Sequence, residues 1–178
     1  MRVTPVILVL TLAARAGADD VESRVLTHYI PQDFLEKAIR TEGWTEVPLE
    51  LKGGVRKGDT VRIWAGGSID RGNGDQPGEN VGLPTGIEKS AATSSPFALS
   101  QDRANAYAVL YKTDSSKAAK CRPAGKALEL SVAKDKERIW IGFNDLKGHY
   151  NDNHLGKGRR HELDPLWIRI EVVRTITD

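Results

Sequence analysis

The chain has a single cysteine, Cys121, so it cannot close a disulfide within itself. Its one methionine is the first residue, and aromatic residues make up only 6%. Beyond the N-terminal stretch there is no run of the roughly 18 apolar residues that a membrane-spanning helix needs. An excess of one charge is missing too. Lys and Arg number 26 against 24 Asp and Glu. Arg2 and Arg15 both stand within residues 1–18, which hold no acid, so the remainder balances at zero. Zero net charge removes the general electrostatic case for nucleic acid or an anionic membrane as partner. With 39% hydrophobic and 28% charged residues, 17 Gly and 8 Pro, the composition excludes collagen-like and coiled-coil chains and argues against wholesale disorder. The 178 residues suffice for one ordinary domain after a leader.

The leader is read from order. Arg2 gives a positive start, and Val6 to Ala14 form an apolar stretch too short to span a bilayer. Ala16-Gly17-Ala18 places small residues just before Asp19. Residues 1–18 therefore read as a signal peptide, and the protein as secreted or periplasmic. The alternative is an N-terminal segment built into the fold.

Residues 19–43 read as a helical prelude. Pro31 suits the start of a helix running to Arg40, and Phe34, Leu35, Ala38 and Ile39 share a face. From residue 44 to 178 the pattern changes to period two. Val61, Ile63 and Ala65 alternate with Arg62 and Trp64. Similar alternation occurs over Ala106–Tyr111, Leu128–Val132, Ile139–Phe143 and Leu166–Val172. These strand-length runs are rich in β-branched and aromatic residues, with Gly, Pro, Asn and Asp between them. Several strands without intervening helices imply an all-β fold, an antiparallel β-sandwich or jelly roll. The gap over residues 66–104 is long, and such gaps are binding loops or mobile insertions.

The stretch with most chemistry follows the strand ending at Phe143. Asp145, Asp152 and Asn153 bring side-chain oxygens together, and Gly148 and Gly156 let the loop curl. Calcium takes six to eight oxygens at about 2.3–2.6 Å, from carboxylates, amides and backbone carbonyls. The spacing is not that of an EF-hand. A plain polar turn is the competing reading, since Asn and Asp favour turns for backbone reasons. His149, His154 and His161 offer a transition-metal set, but their spacing suits no zinc pattern.

The motif Lys57-Gly58-Asp59-Thr60-Val61-Arg62-Ile63-Trp64-Ala65-Gly66-Gly67, preceded by Trp44-Thr45-Glu46-Val47-Pro48-Leu49, resembles the opening of the calcium-dependent galactophilic lectin family (PA-IL-like). Ala106–Tyr111 is similar to that family's middle strand, and Ile139–Gly156 to its final hairpin. The resemblance covers about residues 44–174. It implies a small jelly roll with one calcium ion at an edge loop, completed by sugar hydroxyls. It further implies Asp145, Asp152 and Asn153 as side-chain calcium ligands, and the backbone carbonyl of His149 as another. A further carbonyl comes from near Asp70 or Arg71. Asp145, Asp152 and Asn153 would also meet the sugar, with Tyr150 covering a ring face. The family has Asn where Asp152 stands. Its specificity-setting His and Gln have no clear counterpart in residues 72–104. The implied partner is thus a glycan or galactose-like sugar, and oligomers would raise avidity.

Two other features have two readings each. Lys157-Gly158-Arg159-Arg160-His161 is an anion site or a solvated loop. Trp44, Trp64, Trp140 and Trp167 form a sugar-stacking platform or pack between elements; three of them sit opposite their strands' aliphatic stripes. No phosphate loop, serine elbow or zinc-protease helix appears. Asp145 and Asp152 could serve a glycosidase, but nothing else supports turnover. The sequence therefore implies a secreted, non-catalytic, calcium-dependent carbohydrate-binding domain. Its rival is a structural or protein-interaction module of the same fold.

Overall fold

The computed structural model describes residues 9–12, 22–49, 51, 54–71, 81–82, 96–100, 106–115, 127–155 and 164–176. Cys121, the basic cluster at 157–161 and much of the 66–104 gap lie outside them. So does the leader expectation, except for residues 9–12.

In chain order the elements are β1 (Val9–Leu12), β2 (Glu22–Tyr29), α1 (Gln32–Ile39), β3 (Thr45–Glu46), β4 (Thr60–Gly66) and β5 (Ile69–Asp70). There follow β6 (Val81–Gly82), β7 (Val109–Thr113), β8 (Leu128–Ser131), β9 (Ile139–Phe143), β10 (His154–Leu155) and β11 (Trp167–Ile176). Every strand pair is antiparallel. A five-stranded sheet runs β1-β2-β11-β4-β8, and two three-stranded sheets run β3-β9-β7 and β10-β5-β6. Among the described residues the architecture is all-β with one short helix, as the alternation implied.

Alternation explains the core. On β4, Val61 and Ile63 point inward; on β11, Ile168, Ile170 and Val172 do; on β9, Ile139, Ile141 and Phe143 do. These residues, with Leu128, Leu130, Val109 and Tyr111, form one buried cluster between the large sheet and β3-β9-β7. Each fully buried aliphatic side chain contributes roughly 1.5–3 kcal/mol as an upper figure. Exposed ion pairs such as Arg62–Glu129 contribute about 0–1 kcal/mol. Apolar burial therefore sets the register.

The sequence reading gave residues 19–43 no strand, yet Glu22–Tyr29 forms β2. It pairs with β11 from Tyr29↔Arg169 to Glu22↔Ile176. β1 lies within the expected leader and pairs with β2 at Ser23–Leu26. The helix falls where its pattern placed it, burying Leu35, Ala38 and Ile39. It packs on β9 and β10.

Candidate cation-binding loop

The loop between β9 and β10 is anchored at both ends before any acid is placed. At its start, Asn144 is buried and its amide binds a second segment. Its Oδ1 accepts the N–H groups of Leu99 (3.0 Å) and Ser100 (2.9 Å), and its Nδ2 donates to the Ser100 carbonyl (3.0 Å). At the far end, the β10-β5 register sets His154 opposite Asp70 and Leu155 opposite Ile69. That register brings Asp70, from the turn after Gly67, alongside the residue after Asn153. The sequence spacing alone could not show this meeting.

Asp145 is 3% exposed and Asn153 is 0% exposed. Asn153 Nδ2 donates to Asp145 Oδ2 (2.9 Å) and to the Ile39 carbonyl at the end of α1 (3.0 Å). Both partners are acceptors, so the amide orientation is fixed by its network. Asn153 Oδ1 is then a buried acceptor with no hydrogen-bond partner. Leaving such an atom unsatisfied costs about 1–3 kcal/mol, so a missing donor or cation is the expected complement. Asp145 Oδ1 accepts the N–H of Leu146 (2.7 Å).

The electrostatics centre on Asp145. Burial pushes its carboxyl above the ordinary value, and the charge of Asp152 pushes the same way; the Asn153 and Leu146 hydrogen bonds and Arg71 oppose this. Asp152 is half-buried beside it. Arg71 is likewise drawn in: burial lowers its pKa, while Tyr107, Asp145 and Asp70 hold its charge. Asp70, Asp145 and Asp152 thus gather around Arg71. The carbonyls that end a helix add partial negative charge, and Ile39 presents one here.

Tyr150 and His149 flank the acids on opposite sides of burial. Tyr150 is 4% exposed. Its hydroxyl donates to the Phe143 carbonyl (2.7 Å) and accepts the Asp145 N–H (3.2 Å), so it braces the loop from within. His149 carries an exposed ring, and its N–H closes a turn onto the Leu146 carbonyl (3.1 Å). Gly148, at φ +81, permits that turn. Among the described residues no three His, Cys, Asp or Glu side chains converge as a metal group.

Two contributors escaped the sequence reading. The first is α1 with the residues after it. Glu36 accepts the Leu155 N–H (2.9 Å) and meets the His154 ring (3.2 Å). Arg40 donates to the Asn151 carbonyl (3.1 Å), and Glu42 accepts the Gly148 N–H (2.9 Å). The second is Tyr107, held at φ +55, a conformation that bulky side chains rarely adopt. The Arg71 guanidinium lies 4.0 Å from its ring centroid, and Phe97 meets that ring edge-on at 5.2 Å. Strain of this kind gathers at functional sites. Nothing local in Asn105-Ala106-Tyr107-Ala108 announces it.

No protein-family model matches the chain, and no curated protein does. Among solved structures, one match is the N-terminal domain of EclA, described as a PllA-like lectin. It is 18% identical with a TM-score of 0.37, over 75% of this chain and 94% of that one. That likeness is weak and partial, and no residue role is carried across it.

Proposed function

We propose that the chain is an exported carbohydrate-binding module in which Asp145, Asp152 and Asn153, with backbone carbonyls near Asp70 and His149, hold a calcium ion that presents free coordination positions to sugar hydroxyls. The observation behind this is the buried Asn153 Oδ1, without a partner and next to an ionisable Asp145. Carboxylate, amide and carbonyl oxygens are the donors a hard cation takes, and calcium tolerates their irregular placement. Bound calcium would supply Lewis acidity toward hydroxyl oxygens; the chain's part is to hold the ligands still, through Tyr150, Glu36 and Glu42. Both Asp145 oxygens already accept hydrogen bonds, a poor arrangement for a nucleophile or proton donor. The reading is therefore binding without turnover.

One observation favours a second reading, a structural or protein-interaction module of the same fold. Arg71 already supplies positive charge beside Asp145. Titration calorimetry with calcium chloride, then with a panel of galactosides and other sugars, separates the two. Calcium heat in the native chain, lost in Asp145→Asn/Asp152→Asn, followed by calcium-dependent sugar heat, is the expected result. Calcium heat without any sugar heat selects the module, and equal calcium heat in the double variant removes the proposed ligands.

A further inference from the structure

The outward face of the five-stranded sheet carries the molecule's uncovered aromatics, and it is built from residues outside the acidic loop. Among the described residues, the exposed large hydrophobics are Tyr29, at 60%, and Trp167, at 42%. Register makes them neighbours. Arg169 on β11 lies between Tyr29 on β2 and Trp64 on β4, and Trp167 lies opposite Gly66.

Gly66 explains how Trp167 is held. A Cβ at Gly66 would fall 2.5 Å from Cζ2, 2.6 Å from Cε2 and 2.8 Å from Nε1 of the indole. The indole therefore lies directly on the glycine, and the residue stays largely open to solvent. The other three tryptophans each have a cation over the ring. Arg169 lies 4.2 Å from the Trp64 centroid, Lys112 4.6 Å from Trp44, and Arg138 4.8 Å from Trp140. Among the described residues no cation lies over Trp167. The sequence reading set Trp64, Trp140 and Trp167 opposite their strands' aliphatic stripes; Trp64 and Trp140 are half-buried under cations there, and Trp167 is exposed.

We infer that this face is a second sugar-binding surface, independent of calcium, on which Trp167 and Tyr29 stack the C–H faces of pyranose rings in a neutral oligosaccharide. Three features choose that occupant. First, the surrounding charges are paired within the face: Arg62 with Glu129 at 3.0 Å and Arg169 with Glu171 at 3.6 Å. The balance offers no attraction to a polyanion, but it supplies hydrogen-bond donors and acceptors around an apolar centre, as hydroxyl-rich rings require. Second, the exposed aromatic area is on the order of 200 Å², judged from the size of such side chains. That aromatic area matches the apolar faces of a ring or two. Third, Arg169 faces Tyr29, so Trp167 takes the diagonal position on the adjacent strand, roughly 7–8 Å away, and the platform offers two stacking positions in series, as a linear glycan presents its rings.

Affinity electrophoresis of the full chain through gels containing hydroxyethylcellulose, galactomannan or mixed-linkage β-glucan tests this, run with calcium and with EDTA. Retardation by at least one gel that persists in EDTA is expected. It should weaken about tenfold in Trp167→Ala, the scale of losing one ring stack. It should weaken in Tyr29→Ala as well and recover in Trp167→Tyr. Both aromatic side chains are exposed, and circular dichroism checks that the variants keep the fold. Absence of retardation on every gel, its abolition by EDTA, or equal retardation of Trp167→Ala overturns the proposal. So does a dimer in sedimentation that Trp167→Ala dissolves, which would make the face a self-interface. The calcium reading stands or falls separately, on calorimetry of the Asp145 variant.

Discussion

At the scale of residues, Asp145 is where proton, cation and fold compete. Burial, only partly offset by Asn153, Leu146 and Arg71, raises its pKa above the usual carboxylate value near 4. The folded chain then holds a proton on Asp145 more firmly than the unfolded chain does. Without metal, this group's contribution to stability is fullest below the ordinary aspartate pKa and is lost as pH rises through the folded one. Asp114 and Glu137 act oppositely. Although burial works against its charge, hydrogen bonds from Arg138 and the Trp140 indole hold Asp114 at about 2. Burial is likewise overcome at Glu137 by hydrogen bonds from Thr113, Ser115 and Ala133. Their contributions are lost as pH falls. Comparing native chain with Asp145→Asn by urea unfolding in EDTA isolates the Asp145 part. The native-minus-variant stability should decline with rising pH through the window above about pH 4 and then level off; a flat difference contradicts the assignment. Calcium affinity should fall as pH drops through the same window.

At the scale of elements, the turn joining β4 to β5 decides whether Asp70 reaches the acidic loop. Gly67 stands at φ +78, and a Cβ there would fall on the Pro165 carbonyl. Ser68 N–H bonds Asp164 O (2.9 Å), and Leu166 N–H bonds Ser68 O (2.9 Å), so the turn is clamped to the start of β11. Gly67→Ala should destabilise the fold by more than about 1 kcal/mol, from conformation and clash together. Denaturant midpoints measure that, and calcium heat should fall with it, because β5 would shift against β10. The legible elements were those whose alternation is strong. β4, β8, β9 and β11 show aliphatic residues at every second position, and α1 shows its apolar face. β2 was missed because Glu22-Ser23-Arg24-Val25-Leu26-Thr27-His28-Tyr29 mixes polar residues into both parities. Its place comes from partnership with β11, which no local pattern records.

At the scale of the whole molecule, the site joins separated parts of the chain: α1 with its C-terminal flank, the β5 turn, the segments at 97–100 and 106–107, and the β9–β10 loop. Asp145, Asp152 and Asn153 were legible because they lie close in sequence and are the residue types that bind hard cations. Arg71, Tyr107 and Glu36 were not, because their roles arise from contacts across the fold. An ion that ties these parts together binds the folded state and not the unfolded one. At a hundredfold excess over the dissociation constant it should stabilise the chain by about 2.7 kcal/mol. For a chain of this size that raises the melting temperature by roughly 5–11 °C. Differential scanning calorimetry in EDTA and in calcium reads the shift directly, and coincident melting curves would count against a calcium site.

β1 has a last consequence. Its residues lie within the segment that export would discard, and they occupy the outer flank of β2 at Ser23–Leu26. Cleavage after Ala18 would strip that flank and leave a row of bare backbone amides and carbonyls on a released chain. The free edge of the sheet, held by β1 in the uncut chain, would pass to β2 in the processed one, open to whatever strand arrives to zip it shut.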